Sequence, residues 1–216
     1  MKASTLGVMV ACGLLSLGCA NRERSRNLAD PEVAATTLAR QVCSNCHGVT
    51  GNAVSPNFPN LAGQVEPYIT AQLNDFKSHD RRDPAGFEYM WGLSRSLTGA
   101  QINGLAAYYA AQSPERQPVE GDAARAQAGQ VIFERGIEAS KVPACANCHG
   151  PEAKGAGNYP RLAGQHADYV VKQLRVFQRT DERPEGSVMK VVAHSLTPQN
   201  IGDVAAYVQS LGNRQP

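Results

Sequence analysis

The sequence predicts an all-α protein made of two tandem copies of one small helical unit. Three observations carry that expectation. "CSNCHG", Cys43 to Gly48, returns almost unchanged as "CANCHG", Cys145 to Gly150. "PNLAGQVEPYITAQLNDF" from Pro59 aligns with "PRLAGQHADYVVKQLRVF" from Pro160, and "MWGLSRSLTGAQINGLAAYYAAQ" from Met90 aligns with "MKVVAHSLTPQNIGDVAAYVQSL" from Met189. Apolar residues recur at helical spacing, and no run alternates like a strand bounded by hairpin turns.

The separation between copies drifts only slightly along the chain, so a few short loop gaps distinguish them. The join, "QSPERQPVEGDAA", is polar and contains proline, as an exposed linker should. We expect an export signal over 1–20, a first domain over 28–115, a linker over 116–122 and a second domain over 123–216.

Each element has its own warrant. A helix is expected over roughly Pro31 to Val42, ahead of the first cysteine pair, and another over Asp122 to Arg135 ahead of the second. Val65, Tyr68, Ile69, Gln72, Leu73 and Phe76 lie on one helical face, and Ile102, Leu105, Ala106 and Tyr109 mark a further helix. Ile201, Val204, Ala205 and Val208 repeat that last stripe. Thr98 and Thr197 stand where helix N-caps belong, with Pro198 in a first-turn position.

Composition narrows the function classes. Apolar residues make up 42% of the 216, and the formal net charge of +2 argues against a nucleic-acid groove or an acidic-polymer substrate. Neither half is polarised: 31–117 holds six Lys/Arg against seven Asp/Glu, and 118–216 holds eleven against ten. At the start, "MKASTLGVMVACGLLSLGCA" has a single Lys, an apolar run and then small residues, which is the pattern of an export signal. The run is shorter than the roughly 20 residues that cross a bilayer. Gly18-Cys19 resembles a lipoprotein box that would lipidate Cys19 and attach the chain to a membrane, although Ser16 fits that box poorly. Cleavage after Ala20, releasing a free protein, is the alternative, and both readings stand.

Cys12 and Cys19 belong to the signal, and the other four cysteines all sit in the two CxxC pairs. A disulfide within each pair suits an exported protein. A thioredoxin-like pair requires a βαβ setting that the sequence does not offer. Zinc requires four ligands, and each pair has no fourth thiolate nearby. Covalent c-type haem uses the CxxCH sequence itself. Two thiols add to the porphyrin vinyl groups and the adjoining histidine offers its imidazole to iron. On that reading Cys43, Cys46, Cys145 and Cys148 anchor two haem c groups, with His47 and His149 as proximal ligands. A six-coordinate haem needs a second axial ligand. Met90 and Met189, the only methionines beyond the signal, occupy matched places in the two copies. His79, His166 and His194 have no such counterparts and are expected at the surface or a haem edge.

Both CxxCHG motifs, both "PxLAGQ...Y...QL..F" segments, and "M......L" before a helix ending "AAYY" or "AAYV" resemble the class I c-type cytochromes, and more narrowly the dihaem cytochrome c4 family. The likeness runs from about Ala34 to Leu211. It implies two tandem class I cytochrome c domains, each wrapping one covalently bound haem and packed together so that the haem edges lie close. It implies that Pro59 and Pro160 lend their carbonyls to the second nitrogen of the haem histidines. Gln64, Gln165, Arg82 and Arg183 become candidates for hydrogen bonds to haem propionates. The family's first helix carries a Gly that admits the last helix closely. Gly129 fits in the second copy, whereas the first offers Ala35, Thr36 and Ala39.

His/Met ligation closes both faces of the iron, and the soft thioether stabilises Fe(II). The expected function is therefore electron transfer rather than catalysis. The chain would be a periplasmic carrier taking single electrons from a quinol-oxidising complex or dehydrogenase toward a terminal oxidase. One alternative is a cytochrome subunit of a dehydrogenase complex, such as flavocytochrome c sulfide dehydrogenase. The other is a dihaem peroxidase.

Overall fold

The computed structural model describes residues 21–115, 123–179 and 181–213. The export signal expected at 1–20, with Cys12 and Cys19, lies outside the described residues, as does the linker expected at 116–122. Among the described residues the chain is helical, with two isolated bridges (Ile137 with Val142, Ala156 with Tyr159) and no strands.

In the first domain Ala34, with extended backbone, precedes α1, Ala35–Leu38. The helix starts later than the expected Pro31, because Asp30 and Pro31 lie in a turn that caps Glu32. It also does not stop at Val42. It loosens into a π-helical turn at Ala39–Cys43 and tightens again as α2, Ser44–His47. Single π turns of this kind inside α-helices are frequent at functional sites. Gly48, at φ +76°, ends α2 in a conformation that favours glycine. Next come α3 (Glu66–Lys77), a second π turn (Gly86–Met90) running into α4 (Trp91–Ser94), and α5 (Gly99–Ala110).

The second domain repeats the order: α6 (Ala123–Arg135), α7 (Ala146–His149), α8 (Ala167–Arg179), α9 (Ser187–His194) and α10 (Pro198–Ser210). Thr98 and Thr197 both close capping boxes, with Gln101 and Asn200 as their reciprocal partners.

Each domain has its own core. Val33, Leu38, Ile69, Ile102, Leu105 and Tyr109 pack in the first, and Phe133, Leu174, Phe177, Ile201, Tyr207 and Val208 in the second. Leu38 and Phe133 are completely buried, each contributing about 1.5–3 kcal/mol of transfer free energy.

The helix crossing follows the family expectation in the second domain and is built differently in the first. In the second domain, Gly129 of α6 meets α10 so closely that a Cβ there would lie 1.9 Å from the Asp203 carbonyl oxygen. In the first domain the glycine is on the other helix. Gly104 of α5 faces Ala35 of α1, and a Cβ on Gly104 would lie 2.6 Å from that alanine's. The close crossing survives with Ala35 at the α1 position because the residue facing it in α5 is a glycine.

One loop in each domain is held in the same way. Gly51 O accepts from the backbone N of Leu61 (2.7 Å) and Ala62 (3.1 Å), and Ala153 O from Leu162 (2.8 Å) and Ala163 (2.9 Å). Gly63 N then donates to Tyr109 O (3.0 Å) and Gly164 N to Val208 O (2.8 Å). The "PxLAGQ" segment is thus clamped between its own motif loop and the last helix.

Two candidate haem sites and the contact between them

Helical geometry gathers Cys43, Cys46 and His47 on about one turn of one short segment, and Cys145, Cys148 and His149 on another. No disulfide joins the cysteines of either motif. Burial pushes the Cys43 and Cys145 thiols up to about 11.

The histidines are oriented through one nitrogen each. His47 Nδ1 lies 3.0 Å from Pro59 O, and His149 Nδ1 lies 2.9 Å from Pro160 O. A carbonyl only accepts, so Nδ1 carries the proton and Nε2 bears the lone pair. Burial pulls both imidazoles below their ordinary pKa, against the opposing effect of the carbonyl. A neutral imidazole with Nδ1 engaged and Nε2 basic is the form that ligates iron. Phe58 and Tyr159, aligned residues just before the two prolines, meet the imidazoles edge-on, with ring centroids 6.2 Å and 6.3 Å apart. Sequence reasoning passed over this pair, although both copies carry an aromatic before "PNL" or "PRL".

Met90 ends the second π turn and Met189 lies in α9, and both are half-buried. Ser94 Oγ donates to Met90 O at 2.7 Å, fixing that turn. Beside the first motif, and in sequence next to the two methionines, large apolar side chains lack protein cover. Val54 is 97% exposed, and with Cys46, Gly48 and Phe58 it lines a cleft of about 220 Å³. Phe87 and Tyr89 flank Met90, and Val188 and Val191 flank Met189, all four exposed. Paired thiols, a prepared imidazole and open apolar walls fit a covalently held porphyrin.

The remaining polar candidates do other work. Gln64 and Gln165 each cross the domain boundary. Gln64 Oε1 accepts from Arg161 N (2.6 Å) while its Nε2 donates to Arg161 O (3.0 Å). Gln165 Oε1 accepts from Asn60 N (2.9 Å) while its Nε2 donates to Asn60 O (3.0 Å). The space lined by Asn60, Gln64, Arg161 and Gln165 measures about 10 Å³, room for no more than a single water.

Sequence alignment paired Arg82 with Arg183, but the structure pairs Arg81 with Arg183. Arg81 lies over Phe76 at 4.5 Å and Arg183 over Phe177 at 4.6 Å. Both are buried and bond Gln72 and Gln173: Arg183 Nη1 donates to Gln173 Oε1 at 2.6 Å, and its Nη2 to Gln72 Oε1 at 2.8 Å. Arg81 donates to Gln72 Oε1 and, at 3.3 Å, to Gln173 Oε1. It also pairs with the fully buried Asp83, Nε to Oδ1 at 2.8 Å. The Arg82 side chain is exposed, and its backbone N reaches across to Glu182 O at 2.7 Å.

Of the three unmatched histidines, His194 is exposed and His79 half-buried, with Nδ1 sealed among Phe87 and Trp91. His166 departs from expectation. It is 7% exposed, and its Nε2 meets Ala53 O of the other domain at 2.9 Å.

The family model for cytochrome c matches residues 33–111 and 126–212. A cytochrome c4 of Azotobacter vinelandii is 36% identical over 179 residues, covering 79% of this chain and 84% of that protein. The solved cytochrome c4 of Acidithiobacillus ferrooxidans superposes with a TM-score of 0.72 at 41% identity, over 78% of this chain and 98% of its own. A protein of Thiomonas intermedia named thiosulfate dehydrogenase electron acceptor is 35% identical over 153 residues, 69% of this chain and 65% of that one.

Proposed function

The chain belongs to the dihaem cytochrome c4 family and is an electron-transfer protein with two covalently bound haem c groups, and from that premise we propose how its residues divide the work. Cys43 and Cys46 anchor one haem and Cys145 and Cys148 the other. His47 and His149 are the proximal ligands, and Met90 and Met189 the distal ones. When bound, each haem supplies a one-electron Fe(III)/Fe(II) couple.

The observation that carries this reading is the matched pair of Nδ1 contacts to Pro59 O and Pro160 O, which leaves each Nε2 as a basic donor. Methionine thioether opposite it favours the reduced state relative to a second imidazole. Residues 28–115 and 123–216 serve as the two units, with 116–122 joining them.

With both axial positions filled by the chain, no site remains for a reactant, so the protein carries electrons and is not an enzyme. We place it in the periplasm, soluble or tethered through Cys19. Among the described residues no helix is long and apolar enough to cross a membrane. It would receive electrons from a quinol-oxidising complex or a dehydrogenase and pass them to a terminal oxidase. A dehydrogenase donor is the reading favoured by the relative named as a thiosulfate dehydrogenase electron acceptor.

The test is a redox titration of the native protein followed by optical and magnetic spectra. Two low-spin His/Met signals are expected. Stoichiometric binding of carbon monoxide to the reduced protein, with turnover of peroxide, would instead make it a peroxidase. Co-purification of a stoichiometric flavoprotein would make it a subunit.

A further inference from the structure

Each motif histidine is connected, through a single peptide group, to a glutamine of the other domain. The Pro59 carbonyl that faces His47 Nδ1 at 3.0 Å and the Asn60 N–H that donates to Gln165 Oε1 at 2.9 Å belong to the same peptide. The mirror arrangement joins His149 to Pro160 O at 2.9 Å and Arg161 N to Gln64 Oε1 at 2.6 Å. Both glutamines are 6% exposed, so water competes little for these bonds. Each amide oxygen is held in place by a further donor of its own domain, Val65 N at 2.9 Å for Gln64 and His166 N at 3.0 Å for Gln165.

A peptide group is conjugated, so donation by its N–H shifts electron density toward its carbonyl oxygen. In a dry network such bonds reinforce one another by ~10–30% each. The glutamine therefore makes the proline carbonyl a stronger acceptor. A stronger acceptor draws the Nδ1 proton and makes Nε2 a more basic ligand. A more basic ligand favours Fe(III) and lowers the reduction potential.

We propose that Gln165 tunes the haem held at His47 and Gln64 the haem held at His149, each acting across the domain boundary. The glutamines are positioning residues, since neither touches the ring it tunes. This inference rests on His47 and His149 being the proximal ligands.

The test uses the haem-loaded full protein in an NMR-monitored redox titration that resolves the two haems. Gln165→Met should raise the potential of the haem at His47 and leave the other in place. Gln64→Met should do the reverse. In each case the Nδ1 proton of the histidine in the unsubstituted domain should shift upfield as its hydrogen bond weakens. Where the Met variants fail to fold, Gln165→Glu and Gln64→Glu carry the test. They keep an oxygen acceptor of greater charge, and should lower the potential of the opposite domain's haem more than that of their own.

Equal movement of both potentials would mean that the glutamines only clasp the domains. Movement confined to the substituted domain, or no movement at all, would likewise overturn the inference. The ligation reading is checked separately, since it fails if the unsubstituted protein lacks two low-spin His/Met spectra.

Discussion

Gly129 of α6 lies directly against Asp203 of α10, leaving 1.9 Å between an added Cβ and the Asp203 carbonyl oxygen. Real Cβ atoms do not approach a carbonyl oxygen so closely, and a backbone oxygen cannot swing aside as a side chain can. Gly129→Ala must therefore separate the two helices that carry Phe133 and Tyr207, whose rings meet at 5.4 Å. We expect a loss of about 3 kcal/mol, the upper range for overpacking, measured by denaturant unfolding of the haem-loaded protein. Gly104→Ala, which meets only the Ala35 Cβ at 2.6 Å, should cost less. Equal costs would show that both crossings relax alike.

Asp83 gives the domain contact a pH dependence. Burial alone would raise its pKa, but the Arg81 guanidinium, aided by Arg183, holds it below the usual carboxylate range. A depressed folded pKa contributes stability above the unfolded value of about 3.9. That contribution is lost as pH falls through the folded value. Asp83→Asn should cost about 3–5 kcal/mol at neutral pH, because it strands a buried guanidinium. The gap between wild type and variant should narrow as pH drops below 4, as read from unfolding midpoints across pH. A constant gap would remove Asp83 from this role.

Met90→Ala and Met189→Ala should each convert one haem of the two from low to high spin, and each should open one site to carbon monoxide. Electron paramagnetic resonance and gas titration of the reduced protein would report it. An unchanged spectrum in either variant would show that another side chain ligates there.

The two capping boxes are alike in form but not in burden. Gln101 also donates through Nε2 to Asp30 O (2.9 Å) and Val33 O (3.0 Å), tying the start of α5 to the segment before α1. Gln101→Ala should cost roughly 2–3 kcal/mol, since it leaves buried acceptors without a donor. Asn200→Ala should cost about 1 kcal/mol, as for an ordinary cap. Thermal unfolding of the two variants side by side gives the comparison.

Much of this was legible in the chain itself, and the reason is locality. Cys43, Cys46 and His47 fall within one helical turn, so their spacing states their geometry directly. Capping by Thr98 and Thr197 spans three residues, and the apolar faces of α5 and α10 follow the helical repeat. The duplication could be read because the same local demands appear twice.

What needed the tertiary structure depends on how one domain meets the other. A one-residue shift in a loop makes Arg81, rather than the aligned Arg82, the partner of Arg183. His166 is buried because Ala53 of the other domain covers it. The glycine of the first helix crossing is Gly104 because the close approach requires a glycine on one helix without specifying which helix of the pair bears it. Gln64 and Gln165 gave no sign that they would bond across the boundary, since their partners lie about a hundred residues away in sequence. Local spacing determines which atoms a segment can present together, whereas the orientation of two packed surfaces decides which of them meet.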